Sequence, residues 1–377
     1  MVNRQRIIDE FTRQAAIESP SFKEGAMSAY LKQRFADLAT EIVEDGAGAA
    51  VGSQSNNLIF RIPGKKAGEP LLLSGHMDTV GPTEGIEPIL EEGVFRSAGN
   101  TVLGADDKAG LVEIIEALEV LREEQIDHVP LEVVITICEE VGLLGAKHLD
   151  ASLLEARRGI ALDTTDIDHL IHKAPTANRF TIKVIGQAAH AGVVPENGIS
   201  AIQIAACAIS RMPLGRIDAE TTANIGVIEG GQATNIVPRQ VILNGEVRSH
   251  DPQKLEARTQ EIIGLLEEEV AKARIQVEGR EIRAALEVDL HLDFPAMHVD
   301  LQAEILKLVT ASAEQLDFPL TIKAAGGGSD ANILNGYGIE TVILGTGMNK
   351  VHSVDEEVRV DDMIRVSELL VQIIRNA

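Results

Sequence analysis

The segment Leu71-Leu72-Leu73-Ser74-Gly75-His76-Met77-Asp78 is an apolar run that stops on a histidine and on a carboxylate two residues later. Short Val/Ile/Leu-rich runs with little alternation are typical of strands that are buried on both faces of a parallel sheet covered by helices. Three other apolar runs end in a similar way: residues 131–138 before Glu139-Glu140, residues 159–162 before Asp163, and residues 341–344 before a glycine-rich turn that leads to His352. Because ligands bind outside the carboxyl ends of such strands, these polar groups are expected to form one site.

Size and charge limit the possible functions. The 377 residues exceed the length at which one core usually stops growing, so two domains are expected. A formal charge of -24 argues against nucleic acid and anionic membranes as partners. There is no apolar stretch of the ~18 residues that a membrane helix needs, and no signal-peptide pattern at the start of the sequence. Cys138 and Cys207 are expected to be small buried side chains. We therefore expect a soluble protein of the reducing cytoplasm.

The spacing of apolar residues and the order of the predicted elements change twice along the chain. From residue 105 to about residue 125 it has helical spacing, which makes a strand–helix–strand unit that ends at Glu139-Glu140. After Pro175 the order of elements becomes β-α-β-β-α-β, which is typical of a split βαβ domain. The sequence thus predicts an α/β domain of residues 1–175 and 292–377, with a mixed, largely parallel sheet flanked by helices. An inserted α+β domain occupies residues 176–291.

Five side chains near the predicted strand ends are suited to bind metal ions. Imidazole and carboxylate groups are usual ligands of Zn²⁺ and its first-row neighbours, and Co²⁺ or Mn²⁺ can use the same set. Two imidazoles and three carboxylates are too many for one tetrahedral zinc, but they suit two ions if one carboxylate bridges. A bridging hydroxide would then complete the charge balance. The candidate ligands are His76, Asp106, Glu140, Asp163 and His352.

Two further carboxylates are expected to support these ligands. Asp78 can accept the second ring N–H of His76 and so fix its tautomer. If strand geometry continues, Glu139 and Glu140 point in opposite directions, so one is a ligand and the other is a general base beside a metal-bound water.

Taken singly, each motif has a simpler explanation, such as a solvated helix start at Glu139-Glu140 or a flexible turn at residues 326–330. Together these explanations require five coincidences at one sheet edge.

The same segments resemble the metal-site segments of the M20 family of metallopeptidases, in the family's order and over essentially the whole chain. The segment Ala105-Asp106-Asp107-Lys108-Ala109 is similar to the peptidase T and carboxypeptidase G2 branches. The segments that carry the resemblance are Gly75-His76-Met77-Asp78-Thr79-Val80, Gly104-Ala105-Asp106-Asp107-Lys108-Ala109-Gly110, Glu139-Glu140-Val141-Gly142, Leu162-Asp163 and Val351-His352-Ser353.

The resemblance implies a zinc-peptidase-like catalytic domain with a role for each residue. Asp106 would bridge two zinc ions, one bound by His76 and Asp163 and the other by Glu140 and His352. It also implies that Glu139 is the general base, that Asp78 orients His76, and that the Asp106–Asp107 peptide bond is cis.

By the same resemblance, the inserted domain is a lid and dimerisation domain. His190 would reach a substrate oxygen, often across the dimer, while Asn235 and Arg248 would hold the backbone or the carboxylate of the substrate. We expect a homodimer that forms through this domain.

The predicted activity is that of a dinuclear zinc aminopeptidase-type hydrolase. A metal-bridging hydroxide would attack the scissile amide of a tripeptide or dipeptide, and His190 would stabilise the oxyanion. The nearest alternative is an N-acyl amino acid deacylase or other amidohydrolase of the same family. A metal-dependent dimeric scaffold would not need Glu139, and a phosphate-binding protein that uses the loop at residue 326 would leave the paired histidines and acids unexplained.

Overall fold

The computed structural model describes all 377 residues, Met1–Ala377. The chain forms two compact units, one made of Met1–Ala174 with Met297–Ala377 and the other of Pro175–Ala296. The return to the larger unit falls at Met297 rather than near residue 292, because the last strand of the inserted unit continues to Phe294. None of the helices has the length and apolar character needed to cross a membrane.

The elements follow one another along the chain in three groups. The first part of the larger unit contains α1 (Arg4–Ala15), α2 (Gly25–Phe35), β1 (Glu41–Glu44), α3 (Ala47–Val51), β2 (Leu58–Ile62), β3 (Leu71–His76), β4 (Pro88–Glu91), β5 (Val94–Ser97), α4 (Ala105–Glu123), β6 (Leu131–Thr136), α5 (Leu144–Lys147), the 3-10 helix η1 (Ala151–Leu153), β7 (Arg158–Leu162) and β8 (His169–Ala174). The inserted unit contains β9 (Thr176–Ile185), the 3-10 helix η2 (Pro195–Asn197), α6 (Ala201–Ile209), β10 (Gly215–Arg216), β11 (Thr221–Gly230), β12 (Gln240–Ser249), α7 (Pro252–Lys272), β13 (Arg274–Val277), β14 (Arg280–Arg283) and β15 (Ala285–Phe294). The larger unit then resumes with β16 (Met297–His298), α8 (Glu304–Gln315), β17 (Thr321–Ala324), α9 (Asp330–Gly336), β18 (Glu340–Leu344), β19 (Met348–Asn349), β20 (Glu357–Arg359) and α10 (Val360–Asn376).

The main sheet has the strand order β1-β2-β6-β3-β7-β18-β8-β16, and β17 pairs with β8. Its four central strands, β6, β3, β7 and β18, run parallel, whereas β2 and β8 flank them antiparallel. Every residue of β3 and β6 is buried. Leu71 and Leu73 pack into the large core cluster and Leu72 into a second one, as expected for a strand covered on both faces. The predicted α/β class with a mixed, largely parallel sheet is confirmed.

The inserted unit has one antiparallel sheet in the order β10-β11-β12-β9-β15. Apolar residues of α6 and α7 pack with alternate residues of these strands in a core of their own. The β-α-β-β-α-β order is present, with two additions. The short strand β10 pairs with β11, and the stretch before β15 folds into the separate hairpin β13–β14. Cys138 is buried as expected, but Cys207 is exposed, which corrects the expectation for that residue.

Candidate metal centre

The carboxyl ends of the central strands bring the predicted ligands to one edge of the main sheet. β3 ends on His76, and β7 ends one residue before Asp163. β6 lies beside β3 and leads to Glu140, while β18 lies beside β7 and leads through β19 to His352. The sequence folds in this way because parallel strands place their carboxyl ends on the same side of a sheet.

Asp106 lies between the two histidines. Its Oδ1 atom is 3.1 Å from Nε2 of His76, and its Oδ2 atom is 3.3 Å from Nε2 of His352. Nε2 of His76 is also 4.0 Å from Oδ1 of Asp163, and Nε2 of His352 is 2.9 Å from Oε2 of Glu140. The ligand atoms of His76, Asp106 and Glu140 all lie within 4.8 Å of one another. The five side chains thus form two nitrogen and oxygen clusters that share Asp106, a donor set that fits two first-row metal ions.

The backbone around Asp106 is not helical, although α4 is assigned from Ala105. Asp106 has φ −84° and ψ 103°, Asp107 also departs from helical angles, and Gly104 has φ +72°. The peptide bond between Asp106 and Asp107 is cis, as the resemblance implies. The regular helix therefore begins only after these residues.

Asp78 is completely buried, and it contacts both His76 and the turn that carries Glu139 and Glu140. Nδ1 of His76 is 2.9 Å from the backbone carbonyl oxygen of Asp78, but 3.5 Å from its carboxylate. The carboxylate instead accepts hydrogen bonds from the backbone N–H groups of Glu139 and Glu140, at 2.9 and 3.2 Å, and from the Ser21 hydroxyl at 2.7 Å. The carbonyl of Asp78 therefore fixes the ring of His76, and its carboxylate fixes the turn that carries the two glutamates.

That turn also corrects the argument from strand alternation. β6 ends at Thr136, and Cys138 has φ +51°, so Glu139 and Glu140 do not continue the strand. The carboxylate of Glu140 contacts His352. The pKa of Glu139 lies well above its usual value, because burial disfavours its charged form and Asp163 repels it.

The close spacing and burial of these groups shift their pKa values. The pKa of Asp163 is raised well above its usual value by burial and by the charge of Asp106. Burial would also raise the pKa of Asp106, but hydrogen bonds from His352 and His76 outweigh it, and the net shift is downward. Hydrogen bonds to Asp106 and Glu140 raise the pKa of His352 to about 10. Burial alone would lower the pKa of His76, but its contacts with Asp106 and Asp78 raise it well above the usual value. Without metal, protons therefore carry the positive charge that this carboxylate-rich site requires.

The other predicted site residues lie in the inserted unit. His190 and Ile236 form an isolated β-bridge, and the N–H of Ala191 donates to the carbonyl of Asn235 at 2.9 Å. The structure therefore brings the segments of His190 and Asn235 together. Arg248, on β12, already has a carboxylate partner. Its Nε and Nη2 atoms donate to the two carboxylate oxygens of Glu246 at 2.8 and 3.1 Å.

A model of the peptidase family M20/M25/M40 matches residues 72–376. The chain belongs to this family. It is 40% identical over 378 residues to the protein YqjE of Bacillus subtilis, with 100% of both sequences covered. Among solved structures, this M20 peptidase resembles aminopeptidase PepT from Bacillus cereus, at 38% identity and a TM-score of 0.90, covering 100% of this chain and 99% of that chain. It also resembles a tripeptidase from Staphylococcus aureus, at 37% identity and a TM-score of 0.93, covering 100% and 98%. The predicted resemblance to the M20 family and its peptidase T branch is confirmed, as is the enzyme class of metallopeptidase.

Three buried carboxylates beside the ligands were missed by reasoning from the sequence. Asp107 accepts the backbone N–H of His76 at 3.1 Å. Asp330 accepts the hydroxyl of Thr136, the last residue of β6. Glu356 accepts the backbone N–H of Asp106 at 3.0 Å. Asp107 and Asp330 lie in recognisable sequence motifs, at the start of α4 and after the glycines at 326–328, but no pattern in the sequence indicates Glu356.

Proposed function

We propose that this M20 peptidase is a dinuclear metal-dependent aminopeptidase that cleaves short peptides, with tripeptides as the leading substrates. The observation that carries the proposal is the position of Asp106, whose two carboxylate oxygens lie beside two different imidazoles, at 3.1 and 3.3 Å. A bridging carboxylate needs this arrangement. The substrate class is supported by the two full-length structural relatives, which are an aminopeptidase and a tripeptidase.

In this proposal Asp106 would contribute to both ion sites. His76 and Asp163 would hold one ion, and Glu140 and His352 would hold the other. Zn²⁺ is the proposed metal, and Co²⁺ and Mn²⁺ are able to use the same ligands. The chemistry of the donor set supports the assignment, since two imidazoles with three carboxylates can hold two divalent ions but leave an excess of negative charge without them.

When bound, two such ions supply a water nucleophile at neutral pH and polarise a carbonyl group. Glu139 is the proposed general base, which takes a proton from the attacking water and delivers it to the leaving amine. Asp78 supports this role, because its carboxylate holds the backbone N–H groups of Glu139 and Glu140 together. The base and its neighbouring ligand therefore keep a fixed relation to each other.

Residues of the inserted unit are proposed to bind the substrate. His190 would donate to the substrate oxygen on which negative charge develops, and Asn235 would hold the peptide backbone. Arg248 would pair with the free carboxylate of the substrate, because its planar fork matches a carboxylate. The carboxylate of Glu246 already accepts two hydrogen bonds from this guanidinium group. The substrate carboxylate must therefore displace Glu246 or share Arg248 with it.

We also propose a homodimer formed through the inserted unit as lid and dimerisation domain. β11 is an edge strand for most of its length, since β10 pairs with only two of its residues. Val227 and Ile228 on β11 are 43% and 57% exposed. An edge strand with exposed apolar side chains favours pairing with another chain. The proposed compartment is the reducing cytoplasm, which suits the two free cysteines.

The activity is tested with a panel of tripeptides, dipeptides and N-acetyl amino acids, assayed with protein loaded with Zn²⁺, Co²⁺ or Mn²⁺. We expect hydrolysis of tripeptides with a free amino terminus, which is abolished by a chelator and restored by metal. Hydrolysis of the N-acetyl amino acids alone would replace the proposal with the deacylase alternative. A protein that binds metal but hydrolyses no member of the panel would support the scaffold.

A further inference from the structure

We propose that Glu356 is a positioning residue that fixes Asp106 relative to His352 and thereby sets the affinity for both metal ions. This inference rests on the proposed dinuclear function. Glu356 lies four residues after His352 in the sequence and is only 2% exposed. It is too deeply buried to serve as a surface charge, so its role must be found in its contacts.

The carboxylate of Glu356 binds the segment that precedes and includes Asp106. Its Oε2 atom accepts the backbone N–H groups of Leu103 and Gly104 at 2.8 and 2.7 Å. Its Oε1 atom accepts the backbone N–H of Asp106 at 3.0 Å. Hydrogen bonds from an N–H to a carboxylate are stronger than those between neutral groups. One side chain therefore fixes three amides that precede the regular part of α4.

The amides of this segment are buried and lie before the regular part of α4, so they need an acceptor from elsewhere in the chain. Here the positive φ of Gly104 and the non-helical angles of Asp106 turn these amides toward a single point. The carboxylate of Glu356 occupies that point. The direction of the Asp106 side chain depends on this backbone, and so depends on Glu356.

Glu356 also connects two ligand-bearing loops. Its own backbone N–H donates to the carbonyl of Ser353, the residue after His352, at 3.3 Å. A shift of its carboxylate would therefore change the distance between Oδ2 of Asp106 and Nε2 of His352, which is 3.3 Å. Because Asp106 is the proposed bridge, the change would affect both ions, whereas loss of a terminal ligand would mainly affect one.

The test compares Glu356→Gln with Glu132→Gln in the full chain. Glu132 is a matched control, because it is also 2% exposed and its carboxylate also accepts backbone N–H groups, from Glu155 at 3.1 Å and Ala156 at 2.9 Å. It lies near the start of β6, at the opposite end of the strand from Glu140. In Glu356→Gln the amide oxygen can still face Leu103 and Gly104, but the amide NH₂ then faces the N–H of Asp106. The substitution thus mainly removes the contact with the bridging ligand.

Zn²⁺ affinity is measured by competition with a chelator, and the coordination is followed in the visible absorption spectrum of the Co²⁺ protein. Melting of the metal-free proteins measures the loss of stability. We expect Glu356→Gln to weaken the binding of both ions by about 10- to 100-fold and to change the Co²⁺ spectrum. Glu132→Gln should lower the melting temperature comparably while leaving affinity and spectrum unchanged.

Equal metal affinities and identical Co²⁺ spectra in the two variants would overturn the inference. If Glu356→Gln does not fold, Glu356→Asp and Glu132→Asp replace the pair, and the same comparison decides. A failure of the proposed function is seen separately, as a wild-type protein that does not bind two ions.

Discussion

The metal-free protein should release protons when it binds metal. Hydrogen bonds to Asp106 and Glu140 raise the pKa of His352 to about 10 in the metal-free site, so this imidazole carries a proton at pH 8. The pKa of His76 also lies well above its usual value. A ligand nitrogen must lose its proton before it can bind a metal ion. Loading both sites at pH 8 should therefore release about two protons from these two residues, and more if the raised carboxyl groups contribute.

The number of protons is obtained by titration calorimetry with Zn²⁺ in several pH 8 buffers that differ in ionisation enthalpy. His352→Ala should reduce the number of released protons by about one.

The upward shift of the His352 pKa also affects the stability of the metal-free protein. A raised pKa means that the folded state favours the protonated imidazole, so this contribution is fully present below pH ~6.5 and is lost as the pH rises through about 10. Metal binding at pH 8 without proton release would refute the electrostatic description of the site.

Three substitutions test other parts of the account. Glu139→Gln should lower turnover by about 10²- to 10⁴-fold while metal content stays near that of the wild type, and undiminished activity would rule out Glu139 as the base. Gly75→Ala should lower the free energy of unfolding by about 1–3 kcal/mol, because a Cβ atom there would lie 2.4 Å from Oδ2 of Asp107. In urea unfolding, the control Gly46→Ala, which has open space, should show no such loss. Ile228→Asp should dissociate the proposed dimer in sedimentation, whereas Leu301→Asp, on a similarly exposed residue of the larger unit, should not. Dimers that persist in Ile228→Asp would exclude β11 as the interface.

The convergence of the proposed ligands was predictable because it follows from strand direction. His76 and Asp163 end adjacent parallel strands, so the sequence of each strand and the class of sheet are sufficient to bring them together. The α/β class could be predicted for the same reason, since β3 and β6 read as continuous apolar runs. These features depend on local patterns that repeat along the chain.

The local geometry after the strands could not be predicted. Strand alternation fails at Glu139 because Cys138 adopts a positive φ, a backbone state that the sequence does not signal for cysteine. The partners of Asp78 depend on how the turn at Glu139 closes. Glu356 contacts an amide 250 residues away in the sequence, and no periodic pattern records a contact of that kind. Side chains that hold backbone amides at a distance are therefore found only in the structure.

The claim that Asp106 bridges two metal ions is tested most directly by electron paramagnetic resonance of the full chain titrated with Mn²⁺. A shared carboxylate holds two ions close enough for their spins to interact. With Asp106 as the bridge, the spectrum at two equivalents should be that of a coupled pair of ions. Saturation at one ion per chain, or two ions that show only the spectrum of isolated Mn²⁺, would contradict it.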